Sequence, residues 1–347
     1  MNLSKYDKIL FVHTVNDYSG STNVLAQVIE TEGNPQSSYV ITVDENGFLS
    51  GIADLKLIVI RFPFLHSRLL CKITSLYALL DKIIKTFYYS IKVDAVYINT
   101  FMPVYAAVIA WFLKKPIIWH IHEKEVRRSS SIKLKEFIVE HTKAHFVFVS
   151  NYLSKQYVIH KDSTYEIRYN KLSSTFLNRI NYVPVNKRTK KTILMACSMT
   201  TIKGVDTFVN LSKKMEGLNF CLVLSVSQSD VVDFCKKYDP PVNCKILPCQ
   251  KDMNIQYERA DIVLNLSNPF FGVETFGMTI VEGFAYGLPA VVPNVGGPVE
   301  IVKDGYNGKV VDVTSLYEIE SAILEILSDA NYSRYSDNAI RSSYKYR

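Results

Sequence analysis

Short apolar runs alternate with longer amphipathic segments along most of the chain. Residues 8–13 are largely apolar, which is typical of a strand buried on both faces of a sheet. Strands that alternate with helices of about 10–15 residues predict parallel sheets with right-handed crossovers. The predicted strands lie at 8–13, 39–43, 57–60, 95–98, 116–121, 146–150, 193–196, 219–225, 244–247, 262–266, 290–293 and 308–311. The predicted helices lie at 22–32, 68–91, 103–113, 133–143, 152–159, 204–215, 230–238, 255–259, 279–286 and 315–327.

The alternation is interrupted at residues 178–191, where Pro184 and the basic run 187–191 predict a linker. The 347 residues fit two domains, at about 150 residues per domain. We assign 1–183 to an N-terminal domain, 184–330 to a C-terminal domain and 331–347 to a tail, for which packing back on the N-terminal domain is an open option. The predicted fold class is α/β, with two Rossmann-like, doubly wound domains that face a central cleft. Ligands of such folds bind outside the carboxyl ends of the strands.

The composition is that of a globular protein, with 48% hydrophobic and 21% charged residues. The six cysteines form no C-x-x-C pair, which predicts reduced thiols of a cytoplasmic protein and no metal site. The N-terminus lacks the apolar segment of a signal peptide. The longest apolar run, 101–113, is shorter than the roughly 20 residues that a membrane-spanning helix needs.

The positive charge is concentrated in one part of the chain. The net charge is +7, and residues 56–180 hold 20 Lys and Arg against eight Asp and Glu, whereas 181–347 hold 18 of each. This asymmetry favours a nucleic acid, an anionic membrane surface or a phosphorylated substrate as partner, and a merely solubilising face is the alternative. No nucleic-acid-binding motif is present, and the acidic residues of 17–54 argue against a uniform basic face, so we expect no nucleic acid.

Two glutamates, Glu274 and Glu282, flank a glycine that precedes a predicted helix. Gly277 lies in the loop after the strand at 262–266, and the helix begins at Thr279. A helix start offers backbone N–H groups and the positive end of the helix dipole, which suit a phosphate. Carboxylates on both sides of a phosphate site can hold the hydroxyls at the two ends of a nucleotide diphosphate-sugar. The alternative is one loop glutamate and one helix-surface glutamate, with the glycines serving as turns.

This stretch resembles the retaining family-4 glycosyltransferases of the GT-B fold, which belong to the glycosyl transferases group 1. The shared features are the glutamate pair, then Ala285-Tyr-Gly287-Leu-Pro289-Ala-Val-Val and Gly296-Gly297-Pro-Val-Glu300. The resemblance implies that Glu274 holds the donor sugar as a catalytic residue and that Glu282 holds the ribose. It also implies a diphosphate site built from the backbone of Phe276, Gly277 and Met278 together with Thr279.

A second motif, Lys203-Gly204, opens the predicted helix at 204–215. In the family, an arginine and a lysine embrace the diphosphate in the pattern Gly-Arg-x-x-x-x-Lys-Gly. The resemblance makes Lys203 a catalytic cation, whereas Ser198 stands at the arginine position as a donor-binding residue that carries no charge. The alternative for Lys203 is a solvated lysine at a helix start.

The N-terminal half contributes two weaker matches. His120 and His122 end a predicted strand and lie on one face of it, because side chains alternate along a strand. The resemblance places a histidine near the transferred sugar, and we favour His122 as catalytic because it lies further toward the carboxyl end. A core or capping histidine is the alternative. Gly20 falls where the family has a glycine-rich turn that approaches the donor phosphate.

The resemblance implies a retaining transferase with the acceptor side in 1–183 and the donor site in 184–330. Transfer is expected without a metal or a cofactor, because no Asp-x-Asp motif is present. Our hypothesis is a cytoplasmic enzyme, peripheral on an anionic inner membrane face, that builds a lipid-linked surface glycan of the polysaccharide, capsule or O-antigen type. The alternatives are an inverting GT-B transferase and a non-catalytic GT-B interaction subunit. A nicotinamide enzyme is disfavoured because residues 13–22 lack Gly-x-Gly-x-x-Gly.

Overall fold

The computed structural model of the protein describes residues 3–60, 68–124, 129–180, 191–250 and 252–347. The chain divides into two compact units, Met1–Tyr169 and Asn170–Arg347. This division precedes the boundary expected at 183, and residues 181–190 of the predicted linker lie outside the described residues. Each unit contains one parallel sheet with alternating helices, which confirms the predicted α/β class with two Rossmann-like domains.

The first unit is built on a seven-stranded sheet. Its strands are β1 (Ile9–Val15), β2 (Tyr39–Val43), β3 (Lys56–Ile60), β4 (Ala95–Asn99), β5 (Ile117–Ile121), β6 (His145–Phe148) and β7 (Thr164–Ile167). They pair in parallel in the order β3-β2-β1-β4-β5-β6-β7, so the strand order reverses between β1 and β4. All positions of β4 and β5 are buried, as expected for central strands covered on both faces.

The helices of the first unit cover the two faces of this sheet. They are α1 (Gly20–Glu32), α2 (Arg68–Ile91), α3 (Val104–Phe112), α4 (Ser130–His141) and α5 (Asn151–Ser154). Right-handed crossovers place α1 on one face and α2, α3 and α4 on the other. On that second face α2 packs against α3, and α3 packs against α4.

The second unit is built on a six-stranded sheet. Its strands are β8 (Thr192–Cys197), β9 (Asn219–Leu224), β10 (Cys244–Leu247), β11 (Ile262–Leu264), β12 (Ala290–Pro293) and β13 (Gly308–Val311). They pair in parallel in the order β10-β9-β8-β11-β12-β13, with the reversal between β8 and β11. The helices are α6 (Ser174–Leu177), α7 (Val205–Lys214), α8 (Gln228–Tyr238), α9 (Asn254–Arg259), α10 (Met278–Ala285), α11 (Pro298–Ile301), α12 (Leu316–Leu327) and α13 (Tyr332–Ser343).

The segment expected to be a tail forms α13 and belongs to the second unit. It packs against α10, and the contact depends on Gly287, whose φ is +73°. A Cβ at Gly287 would lie 2.8 Å from Ser336 Oγ and 3.1 Å from Ile340 Cδ1. The Ala-Tyr-Gly sequence therefore ends α10 and leaves room for the last helix.

Several other elements differ from the prediction. The helix expected at 152–159 is the shorter α5, which ends at Ser154. The elements β7, α6, α11 and α13 were not predicted. None of the helices in the described part of the chain is long and apolar enough to cross a membrane.

Candidate functional site

The second unit brings two predicted site residues into direct contact where its strand order reverses. Lys203 ends a short 3₁₀ turn after β8, and Glu274 lies in the loop between β11 and α10. The Lys203 ammonium donates a hydrogen bond of 2.5 Å to Glu274 Oε2. Ligands of doubly wound sheets bind at such reversal points. The two motifs therefore form one ion pair at the expected edge of the sheet.

Gly204 makes the position of Lys203 possible. Its φ is +68°, and a Cβ there would lie 2.3 Å from the Leu266 carbonyl oxygen. The loop after β11 thus approaches the backbone too closely for any side chain. In the same contact the Asn268 N–H donates to the Ile202 carbonyl at 2.7 Å. Glycine after Lys203 is needed for loop packing, independently of any ligand.

Both partners of the ion pair are charged at neutral pH. Burial alone would raise the pKa of Glu274, but the Lys203 ammonium, the Asn265 amide and the Phe276 N–H hold it below its usual value. Burial likewise opposes the charged form of Lys203, but the Glu274 carboxylate raises the pKa of the lysine above its usual value. The site therefore holds an ammonium and a carboxylate in direct contact, partly shielded from solvent.

The predicted diphosphate segment lies at the start of α10. Gly277 precedes the helix with a φ of +110°, and Met278 and Thr279 are its first two residues. The first N–H groups of a helix have no partner within it, so they can donate hydrogen bonds to an anion. The Phe276 side chain is buried and contacts the Tyr346 ring edge-on at 6.1 Å between centroids. The Phe276 side chain is thus not presented to a ligand, and its N–H is already bonded to the Glu274 carboxylate.

The Gly296-Gly297 pair holds the Glu274 loop in place. A Cβ at Gly296 would lie 2.4 Å from the Glu274 carbonyl oxygen, and one at Gly297 would lie 2.1 Å from the Thr275 carbonyl oxygen. The Gly297 N–H also donates to the Glu274 carbonyl at 2.9 Å. These glycines let a second loop pack directly against the loop that carries the catalytic candidate.

Glu282, one turn inside α10, has a different environment. The Tyr257 hydroxyl donates a hydrogen bond of 2.5 Å to Glu282 Oε2, and no cation pairs with this carboxylate among the described residues. Burial raises the pKa of Glu282 to about 7, although the tyrosine hydrogen bond opposes the shift. Glu282 therefore changes charge near neutral pH, whereas Glu274 stays ionised.

Ser198 directly follows β8, next to the ion pair. It is half-buried, and its carbonyl accepts a hydrogen bond of 2.9 Å from the Thr200 N–H. Its neighbour Cys197 is a free thiol whose pKa is raised to about 12 by burial, against the influence of Lys203. Both positions where the family has Gly-Arg are therefore uncharged, and Lys203 is the cation that contacts Glu274.

In the first unit, His122 belongs to a chain of buried polar side chains where the strand order reverses. Asn99, the last residue of β4, connects His122 with His13 of β1: His122 Nε2 lies 2.9 Å from Asn99 Oδ1, and Asn99 Nδ2 lies 3.0 Å from His13 Nδ1. From His13 the chain continues through the Thr22 hydroxyl to Asp17, over distances of 2.9 and 2.6 Å.

One contact fixes the direction of this chain. Asn99 Nδ2 donates to the Ser21 carbonyl at 3.2 Å, and a carbonyl only accepts, so Oδ1 is the acceptor from His122 Nε2–H. Asn99 Nδ2 then donates to His13 Nδ1, and His13 Nε2–H donates to Thr22. Burial lowers the pKa of His122 to about 3 and that of His13 to about 4. Both rings are therefore neutral at physiological pH, with the proton on Nε2.

His120 and Gly20 occupy contrasting places. The His120 ring lies 4.1 Å from the His122 ring between centroids, so both side chains lie on one face, as alternation predicts. His120 is fully buried, Tyr97 OH contacts its Nδ1 at 2.7 Å, and its Nε2 has no hydrogen-bond partner among the described residues.

Gly20 starts α1, and no atom lies within 4 Å of the position a Cβ would take there. Its packing therefore does not require glycine.

The sequence does not identify the hydrogen-bonding partners that support the predicted site residues. These are Asn265 and Tyr257 in the second unit, and Asn99, His13 and Asp17 in the first. Asn99 and Asn265 lie at or just beyond the ends of strands next to a reversal of strand order, which is a signal that predicted topology provides, and His13 lies within β1 beside the same reversal as Asn99. No local pattern indicates that Tyr257 reaches Glu282.

Part of the chain matches a known protein family. Residues 180–343 match the family described as Glycosyl transferases group 1. A segment of 65 residues, 19% of this chain, is 48% identical to "Probable sucrose-phosphate synthase 5" of Oryza sativa subsp. japonica, and it spans 6% of that protein. The curated relatives are thus matched over a small part of their length.

Solved structures match over nearly the whole chain. HepE of Anabaena, in complex with UDP and glucose, is similar with a TM-score of 0.78 at 16% identity, covering 97% of this chain and 95% of that one. WaaG, a glycosyltransferase involved in lipopolysaccharide biosynthesis, is similar with a TM-score of 0.70 at 13% identity, covering 97% and 95%. At these identities the likeness establishes the fold, that of two-domain GT-B glycosyltransferases. Residues 180–343, which match the glycosyl transferases group 1, contain the Lys203–Glu274 pair, Glu282 and the start of α10.

Proposed function

We propose that the protein transfers a sugar from a nucleotide diphosphate-sugar to an acceptor hydroxyl, with retention of the anomeric configuration. The observation that carries the proposal is the Lys203–Glu274 ion pair beside the start of α10, at the reversal of strand order. This arrangement offers a cation and helix N–H groups to a diphosphate and a carboxylate to sugar hydroxyls.

The chemistry assigns a task to each part of the site. Transfer passes through an oxocarbenium-like transition state while the nucleoside diphosphate departs with its charge. Lys203 and the N–H groups of Met278 and Thr279 stabilise that charge. Glu274 orients the sugar through its hydroxyls, and Glu282 accepts the ribose hydroxyls. We assign a catalytic role to His122 of the first unit, which is a neutral imidazole, and expect transfer without a metal or cofactor.

The serine at position 198 makes this donor site less positive than the family pattern. With one cation fewer, more of the diphosphate charge is met by Lys203 and the helix start. We therefore expect donor binding to be weaker than in family members that have both cations. Removal of Lys203 should also reduce donor binding more than it does in those members.

Two classes of acceptor are consistent with the proposal. The names of the curated relatives, sucrose-phosphate synthases, favour a soluble sugar acceptor. The basic excess of residues 56–180 favours a lipid-linked surface glycan, at the cytoplasmic face of an anionic membrane. A cytoplasmic location is also supported by the cysteines with described side chains, all free thiols. Parallel transfer assays with soluble sugars and with lipid-linked glycans separate the two classes.

Two measurements test the activity. A panel of nucleotide sugars is first screened by thermal unfolding, because a ligand at 100 times its Kd stabilises by about 2.7 kcal/mol. The stabilising donor is then used for transfer, and the product's anomeric coupling is read by NMR. Inversion would establish the inverting alternative. Donor binding without hydrolysis or transfer would establish the non-catalytic subunit.

Substitutions at the ion pair link the activity to the site. We expect Lys203→Ala and Glu274→Ala each to lower kcat/KM roughly 10²–10³-fold, because each removes stabilisation of the transition state. Lys237→Ala, an exposed lysine on α8, is the matched control and should be neutral. Circular dichroism verifies folding. Turnover close to the parent's in both site variants would refute the assignment.

A further inference from the structure

The helix α2 presents an apolar face to solvent. Leu76, Leu80, Ile84, Phe87 and Ile91 are all exposed, and Ile84 is 65% exposed. At 3.6 residues per turn these positions fall on one side of the helix, and Tyr77 and Tyr88 lie beside them on the same side. Among the described side chains of α2 from Thr74 onward, the buried positions are Ala78, Thr86 and Ser90, which are small or polar. The helix thus packs through its less hydrophobic side and exposes the more hydrophobic one.

Two neighbouring helices extend this apolar face. On α3, Trp111 and Phe112 are 63% and 70% exposed, and on α4, Leu134 and Phe137 are 60% and 55% exposed. Because α2, α3 and α4 pack side by side on one face of the sheet, their outward sides face solvent together. Scattered apolar residues are normal on protein surfaces, but a continuous apolar layer over three helices indicates an interaction site.

The part of the sequence that contains these helices is basic. Residues 68–143, which contain the three helices, hold 13 Lys and Arg against six Asp and Glu, an excess as large as the net charge of the whole chain. The exposed Lys92 directly follows α2 and lies 3.9 Å from the centre of the Tyr88 ring, the exposed Lys114 directly follows α3, and the exposed Lys133 lies on α4. An apolar face with aromatic residues and a lysine border has the composition of a helix layer that lies in a membrane interface.

We propose that the outward face of α2, α3 and α4 binds the surface of an anionic phospholipid bilayer. The leucine, isoleucine and phenylalanine side chains enter the boundary between headgroups and acyl chains, the Trp111 and tyrosine rings lie at the headgroup level, and the lysines pair with lipid phosphates. A protein partner would satisfy the apolar residues, but the positive border specifically matches an anionic surface. The proposal concerns a surface of the first unit and does not depend on the transfer reaction.

Tryptophan fluorescence gives a direct readout. The chain has two tryptophans, of which Trp119 is fully buried and Trp111 is exposed. We expect vesicles of phosphatidylcholine with about 30% phosphatidylglycerol to shift the emission to the blue, as Trp111 enters the interface, and pure phosphatidylcholine to do so much less. Trp111→Phe should abolish the shift while co-sedimentation with the anionic vesicles persists. A shift that survives this substitution would contradict insertion at α3.

Paired substitutions separate the apolar face from general charge. The double variant L80Q/I84Q leaves the net charge unchanged and should weaken co-sedimentation with anionic vesicles at least tenfold. The control V242Q/Y317Q changes two exposed apolar residues of the second unit and should bind like the parent protein. Equal binding by the parent and L80Q/I84Q would overturn the proposal, as would equal binding of the parent to neutral and anionic vesicles.

Sedimentation velocity tests the rival occupant, a second copy of the chain. A parent dimer that L80Q/I84Q converts to monomer, together with no vesicle binding by the parent, would assign the face to self-association and overturn the proposal. Donor binding and transfer to a soluble acceptor are measured on the same variants. They should be unchanged, so a failure of the proposed transferase activity is recognised separately from a failure of membrane binding.

Discussion

At the residue scale, the two glutamates of the motif are held in opposite electrostatic states. Lys203 and two hydrogen bonds keep Glu274 ionised in spite of burial, whereas Glu282 has a tyrosine hydroxyl as its partner and titrates near neutrality. A group that binds sugar hydroxyls as a fixed acceptor needs the first state. If Glu282 holds the ribose as proposed, the second state makes donor binding depend on pH, because protonation replaces one hydrogen-bond acceptor of the carboxylate with a donor.

The raised pKa of Glu282 predicts that the stability of the fold and the affinity for the donor change with pH in opposite directions. The pKa is about 7 in the folded protein, above its ordinary value of 4.5, so the protonated acid stabilises the fold. This stability is fully present below pH 4.5 and is lost as the pH rises through 7. We expect Glu282→Gln to raise the free energy of unfolding at pH 8 by about 1–3 kcal/mol and to leave it unchanged at pH 4.5, measured by urea unfolding.

Donor binding should change in the opposite sense. For the parent protein, the Kd of the nucleotide sugar should rise as the pH falls from 8 to 6, because Glu282 becomes protonated. Glu282→Gln should bind weakly at both pH values, and titration calorimetry measures both proteins. A pH-independent Kd for the parent would show that donor binding does not depend on the charge of Glu282.

The buried chain in the first unit makes a prediction about proton positions. Asn99 accepts from His122 Nε2 and donates to His13 Nδ1, and burial lowers the pKa of both rings far below neutrality. Long-range proton–nitrogen NMR should therefore show both histidines as Nε2–H tautomers throughout pH 6–8. In Asn99→Asp a carboxylate would favour the imidazolium and raise the pKa of His122. Titration of His122 between pH 6 and 8 in the parent protein would contradict the assigned network.

At the element scale, loop-to-loop packing holds the candidate site together. A single methyl group added at Gly297 should have a large effect, because a Cβ there would lie 2.1 Å from the Thr275 carbonyl oxygen. We expect Gly297→Ala to lower the free energy of unfolding by about 1–3 kcal/mol and to weaken donor binding, as the Glu274 loop is displaced. Gly20→Ala, where the same methyl meets open space, is the control, and both are measured by urea unfolding. Equal stability of the two variants would contradict the packing role.

The sequence pattern predicts central elements better than peripheral ones. The strands at 193–196 and 219–225 correspond to β8 and β9, because strands inside a parallel sheet are largely apolar runs. The edge strand β7, with the sequence Thr-Tyr-Glu-Ile, has no such run. The helix α13 buries Tyr332, Tyr335 and Ser336 where a pattern search expects aliphatic residues.

In the candidate site, too, the sequence predicts the motif residues but not the partners that support them. The motif residues Glu274 and Lys203 were predicted separately, and the parallel topology explains why they meet, since both follow strands at one reversal of strand order. Their 71 positions of separation carry no local signal of the ion pair itself. Supporting partners such as Tyr257 depend on how a helix packs on the sheet, which periodicity alone does not give.

At the scale of the whole molecule, charge and chemistry are distributed differently over the chain. Residues 181–347 are neutral overall and contain the candidate donor site, whereas the basic excess lies in 56–180. A diphosphate is thus met by one paired lysine and oriented amides rather than by a broad positive field. Donor binding should consequently depend less on salt than the proposed binding of the first unit to anionic vesicles.

The two compact units predict that the second one folds alone. Residues 170–347 contain their own sheet and a buried core that includes Phe208, Phe220 and Ile323. They also include the ion pair, Glu282 and the α13 contact. Expressed by itself, this segment should unfold cooperatively in urea and be stabilised by the same nucleotide sugar as the full chain, without transferring it.

The same segment with Lys203→Ala provides the control, because it should fold and lose the stabilisation by the donor. Since the proposed acceptor side and the proposed catalytic residue His122 belong to the first unit, we expect the second unit alone to bind the donor but not to transfer the sugar. A segment that folds but gains nothing from the donor would show that residues before 170 complete the donor site. That result would make Gly20 or the His122 chain part of donor recognition.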